Sequence, residues 1–162
     1  MKIGIYPGTF DPITNGHVNI ITRSLAIVDK LIVAVAKDVI KTPLLSLDER
    51  IDMINHEVQG LKLPANKSIV VEKFSGLLVS FAHKNNATII IRGLRAVSDF
   101  EYEFQLASAN AQLAKDIETI FLPAMDNNHY LSSSVVKEIA RLKGDVSHFV
   151  SPYVKKKLES LS

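Results

Sequence analysis

Residues 6 to 17 read Tyr6-Pro7-Gly8-Thr9-Phe10-Asp11-Pro12-Ile13-Thr14-Asn15-Gly16-His17. Glycine lets backbone approach a ligand closely and tolerates positive φ. Thr9 adds a hydroxyl and a backbone N–H. His17 stands where a helix is predicted to begin, and there unpaired N–H groups and the helix dipole favour an anion. The same dipole disfavours an imidazolium unless an anion is bound. A histidine so placed can donate a hydrogen bond to a phosphate oxygen whose charge grows in a transition state. Taken alone, the segment reads about equally well as a strand-to-helix loop with a capping Thr or Asn and a surface histidine.

A second candidate anion site lies far downstream, in Leu131-Ser132-Ser133-Ser134-Val135-Val136-Lys137. A serine run opening a helix gathers hydroxyls and free N–H groups, although serines also start helices simply as caps. Lys137, one turn along, reads as a phosphate contact or a solvated charge. Arg92-Gly93-Leu94-Arg95 follows a predicted strand; an arginine fork suits phosphate, while two surface arginines otherwise form ion pairs of little worth. Lys41 is a mobile point charge, as most surface lysines are. The chain lacks a Walker Gly-x-x-x-x-Gly-Lys-Ser/Thr and a Gly-x-Gly-x-x-Gly. Both absences count against a P-loop kinase and a dinucleotide dehydrogenase.

These residues need a frame, and the hydropathy pattern supplies one. Strands are predicted at 2–6, 31–36, 69–72, 88–91 and 118–122. Helices are predicted at 16–27, 46–58, 76–85, 98–115 and 132–142, with a short last helix opening at Ser151-Pro152. Gly144 is the predicted residue just past the fifth helix. Strands separated by helices predict an α/β fold: a Rossmann-like, doubly wound, five-stranded parallel sheet with helices on both faces. In such folds ligands bind beyond the carboxyl ends of the strands, where nearly all the candidate residues fall.

The bulk properties agree. The 162 residues suit one domain, and the net charge of +2 is no nucleic-acid footprint. No cysteine is present, which removes disulfides, thiol nucleophiles and thiolate metal sites and fits a reducing cytoplasm. No apolar run approaches the roughly 20 residues of a membrane span. The first strand is too short, and broken too early, to be a signal peptide.

Gly8-Thr9-Phe10-Asp11-Pro12 with Thr14-Asn15-Gly16-His17 resembles the Thr/His-x-Gly-His signature of the nucleotidyltransferase superfamily, and the longer segment from Tyr6 resembles the bacterial phosphopantetheine adenylyltransferase family. Leu131 to Lys137 is similar to the family's Ile-Ser-Ser-Ser/Thr-x-x-Lys/Arg motif, with Leu131 replacing isoleucine. The run from Ile91 to Glu103 is similar throughout. Around Lys41 the match is looser, with Leu45 where the family carries an aromatic.

The resemblance implies transfer of the adenylyl group of ATP to 4′-phosphopantetheine. It implies that His17, Thr9, Lys41 and Arg92 are catalytic, and that Thr9, Lys41, Leu78 and Arg92 hold the phosphopantetheine. Thr9, Phe10, His17, Gly93, Leu94, Arg95, Glu103, Asn128, His129, Tyr130, Leu131, Ser132, Ser133 and Ser134 would bind ATP. Magnesium would arrive with the nucleotide rather than on a protein metal site. A homo-oligomer, typically a hexamer, and coenzyme A as a feedback ligand are implied as well. Alternatives are an acceptor such as nicotinamide mononucleotide or glycerol 3-phosphate, or a nucleotide-binding module without turnover.

Overall fold

The computed structural model describes residues 1–40, 42–123 and 131–161, with backbone only at residues 97 and 98. Its elements alternate: β1 (Ile3–Gly8), α1 (Asn15–Ser24), β2 (Lys30–Ala36), α2 (Leu47–Gln59), β3 (Ser68–Phe74), α3 (Leu78–Lys84), β4 (Ile89–Leu94), α4 (Val97–Leu113), β5 (Glu118–Pro123), α5 (Ser133–Arg141) and α6 (Pro152–Glu159). The strands form one sheet in the order β3-β2-β1-β4-β5, and every pairing is parallel. The strand order reverses between β1 and β4.

The alternation of β2 explains why both faces are covered. Leu31, Val33 and Val35 enter a core shared with α1, α2, α5 and α6. Ile32 and Ala34 point the other way, toward α3 and the end of α4. A strand buried on both faces reads as a continuous apolar run because neither side meets water.

Element ends shift from the predicted ones for local reasons. β4 runs on through Arg92, Gly93 and Leu94, which pair with Phe121, Leu122 and Pro123 of β5. Arg92 and Gly93 therefore lie on the sheet, not in the loop after it. α1 stops at Ser24, where Leu25, Ala26 and Ile27 turn to i−3 carbonyls. α3 begins only at Leu78, because Gly76 is held at φ +76°. Gly144 does not take the left-handed position after α5; Lys143 does, at φ 59°. The Lys143 N–H bonds the Ala140 carbonyl and the Gly144 N–H bonds that of Ile139, a Schellman closure. A Cβ on Gly144 would stand 2.7 Å from Ile139 Cγ2, so close packing rather than dihedral freedom requires that glycine. α2 starts as predicted, with Ser46 and Glu49 closing a capping box.

Candidate active site

A cavity of about 670 Å³ opens at the carboxyl ends of β1 and β4. It sits at the reversal of strand order, where two adjacent loops diverge and leave a crevice. Its walls come from the first loop, the segment after β2, the end of β4, α4 and the start of α5. Thr9, Phe10, His17, Arg92, Gly93, Leu94, Arg95, Glu103 and Leu131 to Ser134 all line it.

His17 is the third residue of α1, not the first. Its Nδ1 accepts the Thr14 backbone N–H at 2.9 Å, while the Thr14 hydroxyl accepts the His17 N–H at 3.4 Å. The pair is a capping box in which imidazole replaces the usual carboxylate. With Nδ1 accepting, the neutral ring carries its proton on Nε2. Burial pushes the His17 pKa down to about 4, and the charges of Arg95 and Arg92 push the same way. The ring is therefore a neutral donor at physiological pH. Phe10 packs edge-on against it, centroids 5.0 Å apart, and Tyr6 closes the cluster. Burial likewise raises the Tyr6 phenol well above its ordinary range. Thr14→Val should cost about 1 kcal/mol of stability through the lost cap, checked by urea unfolding. Turnover should fall less than for His17→Ala, because the residue 14 N–H still holds the ring.

Arg92 reaches from β4 into the crevice. Its Nε and Nη2 each donate to Glu103 at 2.6 Å, and its Nη1 donates to the Pro7 carbonyl at 3.0 Å. Burial works against the charge, but the Glu103 hydrogen bonds and charge outweigh it and raise the Arg92 pKa. The resemblance implies that Glu103 meets the nucleotide; here its carboxylate is engaged by Arg92. On the other side of the β4 end, Arg95 Nε donates to Asp99 at 3.1 Å. Gly93 is closely packed: a Cβ there would stand 3.2 Å from Ile20 Cγ1 and press on that side chain.

The serine run opens α5 beside the first loop. Ser132 is the N-cap and accepts the Val135 N–H. The Ser133 hydroxyl donates to the Pro12 carbonyl at 2.8 Å, and Ser134 is exposed. Two helix N-termini, of α1 and α5, thus face one cavity, as a polyanion site requires. Lys137 lines the same cavity and pairs with Asp11 rather than standing as a solvated charge. Leu78 is not brought to the cavity; it packs with Phe81 against the core on the opposite face of the sheet. Lys41 and the segment Asn127 to Tyr130, with Asn128 and His129, lie outside the described residues.

Two residues that sequence reasoning missed hold the site's backbone. Asp11, 5% exposed, accepts the Leu44 and Leu45 N–H groups, each at 2.9 Å. Arg50, 2% exposed, donates from Nη1 to the Thr9 carbonyl at 2.7 Å and the Ala36 carbonyl at 3.0 Å. Burial lowers the Arg50 pKa, opposed by the charge of Asp11. Asp11 sits before proline, where it reads as a turn residue, and Arg50 looks like a polar position of α2. Arg50→Met should destabilise the protein by about 2 kcal/mol or more, the scale of hydrogen bonds from a charged donor, checked by urea denaturation.

Among the described residues, no three His, Asp or Glu converge as a metal-ligand group. Among the described residues, the carboxylates at the cavity wall are Asp11, Asp38 and Glu103. Asp11 and Glu103 accept from lysine, arginine and backbone N–H, and Asp38 accepts the Gly76 N–H.

A parallel sheet with a phosphate-friendly crevice at its switch point is the frame of a nucleotide-binding α/β domain, and residues 5–139 match the cytidylyltransferase-like family. Within it the chain belongs to the phosphopantetheine adenylyltransferase family. It is 54% identical over 161 residues to the phosphopantetheine adenylyltransferase of Wolbachia pipientis subsp. Culex pipiens (strain wPip), covering 99% of this chain and 94% of that one. It is 50% identical to that of Caulobacter vibrioides (strain NA1000 / CB15N), covering 98% and 96%. The fold also matches the nicotinic acid mononucleotide adenylyltransferase of Plasmodium falciparum complexed with NaAD. The TM-score is 0.70 at 15% identity, over 98% of this chain and 95% of that chain.

Proposed function

We infer that the chain transfers the adenylyl group of ATP to 4′-phosphopantetheine, yielding dephospho-coenzyme A and pyrophosphate, a step of coenzyme A biosynthesis. The observation that carries this reading is the meeting, in one crevice, of the His17 Nε2 donor, the Arg92 guanidinium and the starts of α1 and α5. Full-length identity to proteins of that name supports the choice of acceptor.

A phosphate oxygen of the acceptor forms a bond to the α-phosphorus of ATP. The bond from that phosphorus to the bridging oxygen breaks, and its electron pair leaves with pyrophosphate. The acceptor phosphate is already ionised, so no side chain need act as base. The protein's work is then positioning and stabilisation of growing charge. His17 donates from Nε2 to an α-phosphoryl oxygen, and Thr9, on the same cavity wall, helps stabilise that group. Arg92 and Lys41 hold the acceptor phosphate. Arg95, Ser133 and Ser134 meet the leaving pyrophosphate, with Phe10, Gly93, Leu94, Leu131 and Ser132 around the nucleotide. Since the described wall carboxylates have protein partners, magnesium would be held by the nucleotide's phosphates, where it neutralises charge.

Pyrophosphate release should be seen with ATP and 4′-phosphopantetheine, and be far weaker with nicotinamide mononucleotide or glycerol 3-phosphate. Release with neither 4′-phosphopantetheine nor any other acceptor would leave a nucleotide-binding module instead.

Self-association belongs to the same reading. α4 exposes Phe100 and Phe104 one turn apart, their ring centroids 5.6 Å from each other, an apolar patch suited to a second copy in a homohexamer. Sedimentation velocity checks it. Coenzyme A, sharing the pantetheine and nucleotide moieties, would act as a feedback ligand competing for the cavity. A cytoplasmic setting, where ATP is at hand, goes with the same reading. Among the described residues no helix is long and apolar enough to cross a membrane.

A further inference from the structure

We propose that Asp11 is a positioning residue whose single carboxylate ties together the first loop, the residue 44–45 turn and α5, and so sets the spacing of the walls that the two substrates must bridge. The geometry is specific. Oδ1 accepts from the Leu45 N–H and Oδ2 from the Leu44 N–H. Oδ2 also receives the Lys137 ammonium.

Each anchor adjoins a cavity wall. Thr9 and Phe10 precede Asp11, Thr42 and Pro43 precede Leu44, and Ser133 and Ser134 lie one turn before Lys137. Arg50 pins the other end of the segment after β2, holding the Ala36 carbonyl to that of Thr9. The wall that includes Asp38, Val39, Ile40, Thr42 and Pro43 is thereby referenced to the first loop at both ends.

A neutral side chain would not serve as well. Three donors converge on Asp11, and a carboxylate offers about four lone-pair sites with no competing hydrogen. Its charge also balances Lys137, whose ammonium carries three N–H donors and so keeps others for the cavity. Burying a carboxylate is costly unless it is paired and hydrogen-bonded, and Asp11 has both kinds of partner. A displacement of about 1 Å in such a wall is enough to cost roughly a hundredfold in rate, because the in-line geometry is lost.

The turnover arm of the test rests on the proposed transfer reaction; the exchange arm does not, because it is read without substrate. Asp11→Asn keeps the size but puts an amide NH₂ against donors. Amide exchange at Leu44 and Leu45 should quicken by about tenfold or more in the variant, while Ile32 and Ile90 in the sheet stay within about threefold. Turnover of ATP with 4′-phosphopantetheine should fall by about thirtyfold or more. Unchanged exchange at Leu44 and Leu45, or turnover within about threefold of the parent, overturns the proposal. So does equal acceleration across the sheet, which would make Asp11 a support of the fold alone. Should Asp11→Asn not fold, Lys137→Gln cuts the α5 tie, together with the donors that the ammonium keeps for the cavity, and spares the residue 44–45 tie. It should keep Leu44 and Leu45 exchange within about threefold and lower turnover by about tenfold; parental turnover there overturns the three-way tie. A parent protein without turnover would defeat the transfer reading and leave the exchange result standing.

Discussion

His17→Ala is expected to lower turnover by at least about a hundredfold, the loss seen when one transition-state donor is removed, while the affinity for ATP changes much less. The Thr14 N–H occupies Nδ1, so the proton sits on Nε2 and faces the cavity. A donor poised for charge that appears only during reaction contributes to kcat rather than to ground-state binding. Steady-state kcat with an equilibrium ATP titration separates the two. If kcat barely moves, the ring is only a cap.

The low His17 pKa has a second consequence. The neutral ring persists in the folded protein down to about pH 4, against 6.5 for an ordinary histidine. Titration of His17 in the free enzyme should therefore leave no inflection in kcat/KM between about pH 5 and 8. The sign for stability follows from linkage. Between 6.5 and about 4 the unfolded chain binds the proton and the folded chain does not. Folding stability from this group is complete above 6.5 and is lost as the pH falls toward 4. His17→Gln should flatten that part of the curve, measured by urea unfolding across the range.

Arg92→Met is expected to reduce kcat/KM by about a hundredfold to a thousandfold, the cost of deleting a donor aimed at a phosphate. Three of the five guanidinium N–H groups are already taken by Glu103 and Pro7, leaving two for a ligand. Those two are held in direction by the other three, and a lysine at this position would not reproduce the fork. Arg92→Lys should therefore recover only a small part of the loss. Glu103→Gln sorts the carboxylate's role. If Glu103 works by holding Arg92, KM for the pantetheine acceptor rises and KM for ATP stays near the parent's. A rise in KM for ATP alone would return Glu103 to the nucleotide.

Much of this was written locally in the chain. The β-branched run of β2, the Ser46–Glu49 capping box and Pro152 at the start of α6 are short-range signals, and each formed where its own residues demanded it. The candidate phosphate ligands were legible too, because glycine, hydroxyl, imidazole and guanidinium groups gathered at strand ends and helix starts. The ends of elements were less legible where a partner strand decided them, as β5 did in drawing Arg92 and Gly93 onto the sheet.

Tertiary structure alone decided how those groups are held. Glu103 and Pro7 aimed Arg92, and Arg50 joined the ends of β1 and β2. Leu78 carried a family resemblance, and the fold packs it, partly buried, against the core on the other face. Asp11 read as a turn residue because its partners, Leu44, Leu45 and Lys137, lie 33, 34 and 126 positions away. Hydropathy and propensity act over a few residues and set which elements form. A buried charge must instead find its counterpart wherever the fold brings one, so the chain alone determined the kind of site and the packed sheet determined its geometry.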